Sequence, residues 1–472
     1  MPDISKIEPT QRQGKTSRAI ESRSRPTRQA QLASHLPRVL VVLVYAAFAA
    51  RLFFIISQYA VNVFCWDQWD FNNATLFEHH GLWQIFRWQH GPHRQGLGGV
   101  LEKLLEPLIR WNTRYESFGI GAIIVMAAVL ALYLKKRMFG RIGYEDMIIP
   151  LLFLTPVQYE GLISTPNPAN GPLPLLLMIL YCLSWTVHRQ LWRYCWVLIT
   201  NFLLIYTGFG LFIGFLTPLL IAAEWYRNDT DLRRRNHVGS AFALLVSVLS
   251  VASFFVGYKL TAAASCFSLR PENPIRYLEF IALMFANFLG IKKSFLVAEL
   301  VGGGILLAVL VWLVLATIGL LSSGNAERGQ KVIKVALLAY CSLFCLHAAF
   351  GRLCIGLDAA QGSRYMTYLI IGFLGLYLCA RSVHRSAPRR TFLSAVLALA
   401  LLGALRLHKA EMQSHASEKR AWVSCYFSRH DIQQCDLVTN FKIYPWPEAT
   451  NLQQKLDVLE RQHLNLYVKP ND

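Results

Sequence analysis

Two carboxylates three residues apart, Asp67 and Asp70, stand in the run Cys65-Trp66-Asp67-Gln68-Trp69-Asp70. One helical turn sets such a pair on a common face. A carboxylate against apolar walls can act as a general base or hold a cation. A second run, Trp88-Gln89-His90-Gly91-Pro92-His93-Arg94, adds His90, His93 and Arg94. These side chains could bind phosphate. Asp67, His90 and His93 together could hold a divalent cation, but their spacing matches no strong ligand signature. No metal ligand is therefore assigned. The same residues also suit an ordinary interfacial loop, with tryptophans at headgroup depth and an Asp capping a short helix.

A second group lies far along the chain: Arg352, Asp358 and Gly362-Ser363-Arg364-Tyr365. An arginine offers a fixed fork to phosphate or carboxylate, and charges at the mouth of membrane helices are functional suspects. Snorkelling to headgroups is the plainer alternative. A third group, Gln158-Tyr159-Glu160 with Asn167 and Asn170, could bring Glu160 to the same cavity or leave it solvated in a loop. The chain has no Walker loop and no Gly-rich dinucleotide fingerprint. Any group donor is then expected to be something other than a soluble nucleotide.

What must position these residues is a set of membrane helices. The 472 residues are 54% hydrophobic and 16% charged, against about 25% charge in soluble domains. The apolar residues come in long runs, among them Pro37 to Ala60, Phe118 to Leu134, Gly239 to Ala262 and Leu296 to Leu321. Runs near twenty residues read as spanning helices. Barrel strands would be shorter and alternating. The expected fold is an all-α polytopic membrane protein with about 10–12 transmembrane helices. The net charge of +19 does not argue for nucleic acid. The basic residues cluster between apolar runs, at Lys135-Lys136-Arg137, Arg233-Arg234-Arg235 and Arg385 to Arg390, as positive-inside topology requires.

With those clusters inside, residues 1–37 form a disordered basic cytoplasmic tail and 38–407 the transmembrane domain. Residues 61–116 become a first outer loop, with amphipathic helices, and 408–472 a small extracytoplasmic segment. Residues 275–291 fit an interfacial segment better than a span, because a span would put Arg385 to Arg390 outside. Cys425 and Cys435 lie ten apart in the polar C-terminal segment, a pairing that fits a disulfide in an oxidising compartment. The other cysteines sit mostly in apolar helices as small buried thiols.

An acidic pair after the first membrane helix, a long amphipathic outer loop, many helices and a basic outer mouth resemble the GT-C superfamily. These are membrane glycosyltransferases that take sugars from polyprenyl-phosphate donors. More narrowly, Trp66-Asp67-Gln68-Trp69-Asp70, His90-Gly91-Pro92-His93-Arg94 and Ser363-Arg364-Tyr365 resemble elements of a group of uncharacterised bacterial membrane proteins, as does the tail from Asp431 to Tyr467 with Phe441-Lys442-Ile443-Tyr444-Pro445. Here Gln158-Tyr159-Glu160-Gly161 replaces a common Gln-Trp-Glu-Asn, and Gly91-Pro92 replaces Asn-Glu.

The resemblance implies a transferase in a bacterial inner membrane, with a cytoplasmic N-terminus and a periplasmic C-terminus. It would move sugar from a polyprenyl-phosphate-linked donor to a periplasmic lipid or glycan acceptor. Asp67 and Asp70 would be catalytic, and a divalent cation could assist them. His93 and Arg94 would sit near the donor phosphate and Arg364 would neutralise the leaving phosphate. From their own chemistry, His90, Arg352 and Tyr365 join the donor phosphate-binding set, and Glu160 and Asp358 the substrate cavity. Two alternatives compete: a non-enzymatic flippase of lipid-linked sugar, and a polysaccharide polymerase or ligase.

Overall fold

A computed structural model describes residues 28–78, 80–226, 230–260, 273–291, 296–322, 328–406, 408–444 and 451–468. Most of the expected basic tail lies outside these residues. The described chain is almost entirely helical. In order, the helices are α1 (Arg28–Tyr59), α2 (Gln68–Asn72), α3 (Leu82–Arg87), α4 (Gly96–Leu105), α5 (Thr113–Phe139), α6 (Ile148–Phe153), α7 (Pro172–Ser184), α8 (Gln190–Ile205) and α9 (Leu211–Tyr226). They continue as α10 (Thr230–Phe255), α11 (Ile275–Phe288), α12 (Leu296–Ser322), α13 (Arg328–Arg352), α14 (Met366–Arg381), α15 (Ser386–Leu405), α16 (Lys409–Arg429), α17 (Ile432–Thr439) and α18 (Leu452–Gln462). Two short strands, β1 (Gln89–His90) and β2 (His93–Arg94), pair antiparallel in the first loop.

Among the described residues, seven helical segments are long and apolar enough to cross a bilayer, and α7 and α9 are shorter apolar helices. Burial separates the rim of the bundle from its centre. The most apolar stretch of α12 is only 17% buried, whereas that of α14 is 94% buried and less apolar. An apolar helix with little protein around it needs lipid as its partner. The protein is therefore an all-α polytopic membrane protein.

Helix α6 is cut short by Thr155-Pro156, because proline supplies no amide to continue the ladder. The chain goes on through a 3₁₀ turn (Pro156–Gln158) and a π turn (Glu160–Ser164). Irregular backbone at membrane depth survives where protein buries it. Here Ile148 to Gln158 are buried throughout, and Thr155 Oγ1 donates to the Gly403 carbonyl at 3.0 Å.

The two ends of the bundle differ. At one end, Lys135 is buried against Asp146 at 2.6 Å, and the Tyr377 hydroxyl also donates to Asp146. The Lys135-Lys136-Arg137 cluster is thus only partly a solvated topology signal. Arg193 pairs with Glu224 at 2.5 Å on the same side, and Arg328 donates to the Glu224 carbonyl at 3.1 Å. The other end carries the first loop and the C-terminal helices.

Segment α11 has 14 residues, about 21 Å of helix against a core of about 30 Å. Its Tyr277 ring packs on Phe350 and its Asn287 amide donates to the Gln361 carbonyl at 2.7 Å, so both its ends meet the same end of the bundle. It does not cross. It is nevertheless buried by α12 and α13 along Phe280 to Ala286, rather than resting on a lipid surface.

Candidate functional site

The acidic pair owes its geometry to a left-handed residue. Trp66 has φ 55°, a conformation that costs a bulky side chain free energy. It is held there from the far end of the chain. The Trp66 amide donates to the Ile443 carbonyl at 2.8 Å and its indole to the Lys442 carbonyl at 3.2 Å. The next turn opens α2 and sends neighbouring side chains opposite ways. Gln68 turns into the scaffold, where its amide donates to Glu116 at 3.1 Å and to the Pro166 carbonyl at 3.2 Å. Asp67 and Asp70 face a cavity. The Asp67 carboxylate accepts no side-chain hydrogen bond that caps α2. Both Asp70 oxygens lie within reach of the Tyr444 hydroxyl, at 3.0 and 3.1 Å. Burial raises the Asp70 carboxyl above the ordinary range, opposed by the nearby His90 and by the Tyr444 hydrogen bond.

The β1–β2 hairpin supplies the histidines. Gly91 takes φ 53° at its tip, a conformation glycine adopts without a Cβ penalty. His90 and His93 are cross-strand partners, so both side chains leave one face and reach the cavity. His93 Nδ1 lies 3.0 Å from the Gly208 carbonyl, so Nδ1 carries the proton and Nε2 keeps a free lone pair. Burial, with the cationic character of His347, His90 and Arg352 nearby, drives His93 down to about 3. It is a neutral acceptor, not a cation that attracts phosphate.

Arg94, next along β2, also borders the cavity, but its guanidinium is held by backbone carbonyls. Its Nε donates to the Phe254 carbonyl at 3.0 Å and Nη2 to Phe254 and Val256 at 2.8 and 2.9 Å, while Nη1 donates to the Arg87 carbonyl. The rings of Tyr206, Phe254 and Tyr258 surround it. Its donors are committed to the C-terminal carbonyls of α10. Arg94 thus borders the cavity while its guanidinium also clamps the end of α10.

The opposite wall comes from α13 and the start of α14. Arg352 lines the cavity and has no hydrogen-bond or ion-pair partner among the described residues. Arg364 Nε pairs with Glu160 at 3.0 Å, and Glu160 also accepts from the Arg364 amide at 3.2 Å. Ser363 fastens the same corner, as its hydroxyl accepts from the Glu160 amide at 3.1 Å. Tyr365 lines the cavity beside Arg364, whereas Asp358 is exposed and does not. Glu160 acts through Arg364 rather than as a wall residue.

The resulting cavity holds about 310 Å³. It gathers Asp67, Asp70, His90, His93, Arg352, Arg364 and Tyr365 from segments nearly three hundred residues apart. The sequence did not single out His347, Tyr368 or Phe71, and Tyr444 stood out only within the tail motif, not as a site residue. A histidine inside an apolar helix was a legible signal for His347. Tyr368 donates to Asn170 at 2.6 Å and carried no signal of its own.

One subset suits a cation. Ligand atoms of Asp67, Asp70 and His90 all lie within 4.8 Å of one another. Two carboxylates and an imidazole form an acceptable set for a divalent ion. Of the Asp67, His90 and His93 combination considered from sequence, Asp67 and His90 fall in this group, with Asp70 as the third member.

The C-terminal segment is part of the same body. Trp422, Tyr426, Cys435, Ile443, Leu456 and Leu459 share a buried core with Val63, Phe64 and Trp69 of the first loop. Cys425 and Cys435 are bonded. Lys419 donates to the Ser164 carbonyl at 2.5 Å, which ties α16 to the second loop.

No protein-family model, curated protein or solved structure matches this chain. Fold and site define a class: a polytopic helical membrane protein with a polar, charge-bearing cavity among its described residues.

Proposed function

We propose that this protein is a glycosyltransferase that moves a sugar from a polyprenyl-phosphate-linked donor to a lipid or glycan acceptor, on the non-cytoplasmic face of a bacterial inner membrane. The observation that carries this reading is the polarity of one cavity. Among the described residues, Asp67 lies unpaired at one side and Arg352 unpartnered at the other, beside Arg364, which pairs with Glu160. That arrangement suits substitution at a sugar carbon. Asp67 takes the proton from the acceptor hydroxyl. The hydroxyl oxygen attacks the anomeric carbon as the bond from that carbon to the phosphate oxygen breaks. The departing lipid phosphate keeps the electron pair, and Arg352 and Arg364 stabilise its charge. Holding both substrates at one membrane surface supplies proximity. A divalent ion on Asp67, Asp70 and His90 would offset the repulsion between the carboxylates and add Lewis-acid polarisation.

Two further observations support the assignment of the face. The Cys425–Cys435 disulfide lies at the cavity end, and Cys354, just beyond Arg352, is also disulfide-bonded. Disulfides persist in oxidising compartments. Among the described residues, the cavity is lined from the ends of helices and loops, which suits chemistry at one surface better than passage through the bilayer.

The test uses the full chain in liposomes with a polyprenyl-phosphate-linked sugar donor. Asp67→Asn is expected to insert and melt normally while sugar transfer disappears. Full activity in both Asp67→Asn and Asp70→Asn removes the proposal. Headgroup translocation without product identifies a flippase instead. Loss in Arg364→Ala with full activity in Asp67→Asn identifies a polymerase or ligase.

A further inference from the structure

A five-residue helix such as α2 does not hold itself together in water, yet it carries both site carboxylates. What fixes it are three consecutive residues of the C-terminal segment. Lys442 and Ile443 accept from the Trp66 indole and amide at 3.2 and 2.8 Å, and the Tyr444 hydroxyl reaches both Asp70 oxygens. Those residues are anchored in their turn. Ile443 is fully buried in the shared core, and the Asp436 carboxylate accepts from the Trp422 indole at 2.7 Å and from the Ile443 amide at 3.4 Å. The disulfide to Cys425 fixes α17 just before this segment. Lys455 of α18 adds a longer contact to the Trp69 carbonyl at 3.4 Å.

We infer that residues 442–444 form a clasp that completes the site, with Tyr444 a positioning residue that fixes the orientation of the Asp70 carboxylate. The inference deepens the proposed function and rests on Asp67 and Asp70 being working carboxylates. Tyr444 touches neither donor nor acceptor in this role. It acts through Asp70, as a group outside a ligand shell orients the ligand. The C-terminal segment is then a component of the active centre, although it follows the last membrane helix.

The experiment compares wild type, Tyr444→Phe and Tyr444→His as full-length protein in nanodiscs. Mn²⁺ binding is read by electron paramagnetic resonance, alongside transfer kinetics and thermal melting. In Tyr444→Phe, Mn²⁺ affinity is expected to fall about tenfold. The kcat falls by a similar factor, and KM for the lipid-linked donor stays unchanged because the donor phosphate sits at the arginine wall. Tyr444→His, which keeps a ring donor, recovers part of both and serves as the reading if the Phe variant melts early. Wild-type affinity and kcat in a folded Tyr444→Phe overturn the clasp. If the wild type binds Mn²⁺ but transfers no sugar, the transferase reading fails while the affinity difference still decides the clasp. A wild type that neither binds Mn²⁺ nor turns over takes this inference down as well.

Discussion

Arg364 Nε stands 3.0 Å from a Glu160 carboxylate oxygen, and the second Glu160 oxygen accepts from the Arg364 amide. The pair joins the irregular turn after α6 to the start of α14 and fixes the direction of one guanidinium. Arg352 lacks any such partner among the described residues. The two cavity arginines should therefore respond differently to mutation. Arg352→Ala is expected to leave the melting temperature unchanged and to lower kcat about 10²–10³-fold, as loss of one charge-stabilising donor does. Glu160→Gln is expected to lower transfer about tenfold through misdirection of Arg364, with a lower melting temperature. Kinetics paired with thermal unfolding in detergent separates the two.

Arg94 gives the converse pattern. Its guanidinium satisfies the carbonyls of Phe254, Val256 and Arg87. Arg94→Ala leaves buried acceptors unpartnered, at a cost of about 3 kcal/mol. Arg94→Lys does not restore the fork. Both variants are expected to unfold at lower denaturant while the surviving folded fraction keeps the wild-type KM for donor. A raised KM at unchanged stability would return Arg94 to the phosphate site.

The first loop also buries carboxyls behind the site. Glu102, Glu106 and Glu116 line one small void with Gln68. Burial pushes Glu106 up to about 8 and Glu102 well above its usual range. A carboxyl whose folded value is raised binds more protons folded than unfolded. Stability then falls as pH rises from about 4.5 toward 8 and levels off beyond, by up to about 1.4 kcal/mol per pH unit for one group. Glu106→Gln should flatten that slope and stabilise the protein above pH 8. Chemical denaturation from pH 5 to 9 reads the difference, and parallel slopes in the two proteins would refute it.

His93 gives the opposite sign. It falls to about 3 when folded, so the unfolded chain takes up its proton first, near 6.5. Its contribution is present above that value and is lost as pH falls toward 3. His93 should stay neutral throughout pH 5–8. A His93→Asn variant should therefore keep every limb of the wild-type pH–rate profile in that range. Disappearance of a limb would show that His93 titrates there.

The disulfide anchors the C-terminal clasp. Cys435→Ser is expected to cost roughly 2–3 kcal/mol for a loop of this length. The first loop should lose protection with it, because both share one core. Amide exchange over residues 63–77 should quicken in the variant, and wild-type exchange there would show that the loop folds without the clasp.

The amino-acid sequence by itself determined what depends on local pattern. Apolar runs too long for a soluble core dictated membrane helices, because a lone helix in lipid must satisfy its own backbone. Spacing put Asp67 and Asp70 on one face of a turn, and the polar setting of Cys425 and Cys435 fitted their bond. Only tertiary structure decided the remainder. That the Arg94 guanidinium clamps the end of α10 beside the cavity depends on how the β1–β2 hairpin packs against that helix. Whether Asp358 or His347 lines the wall depends on where α13 ends relative to β2. Tyr444 meets Asp70 across 374 residues. Such contacts follow from packing between distant segments, and side chains of the same type before and after packing look alike in the sequence.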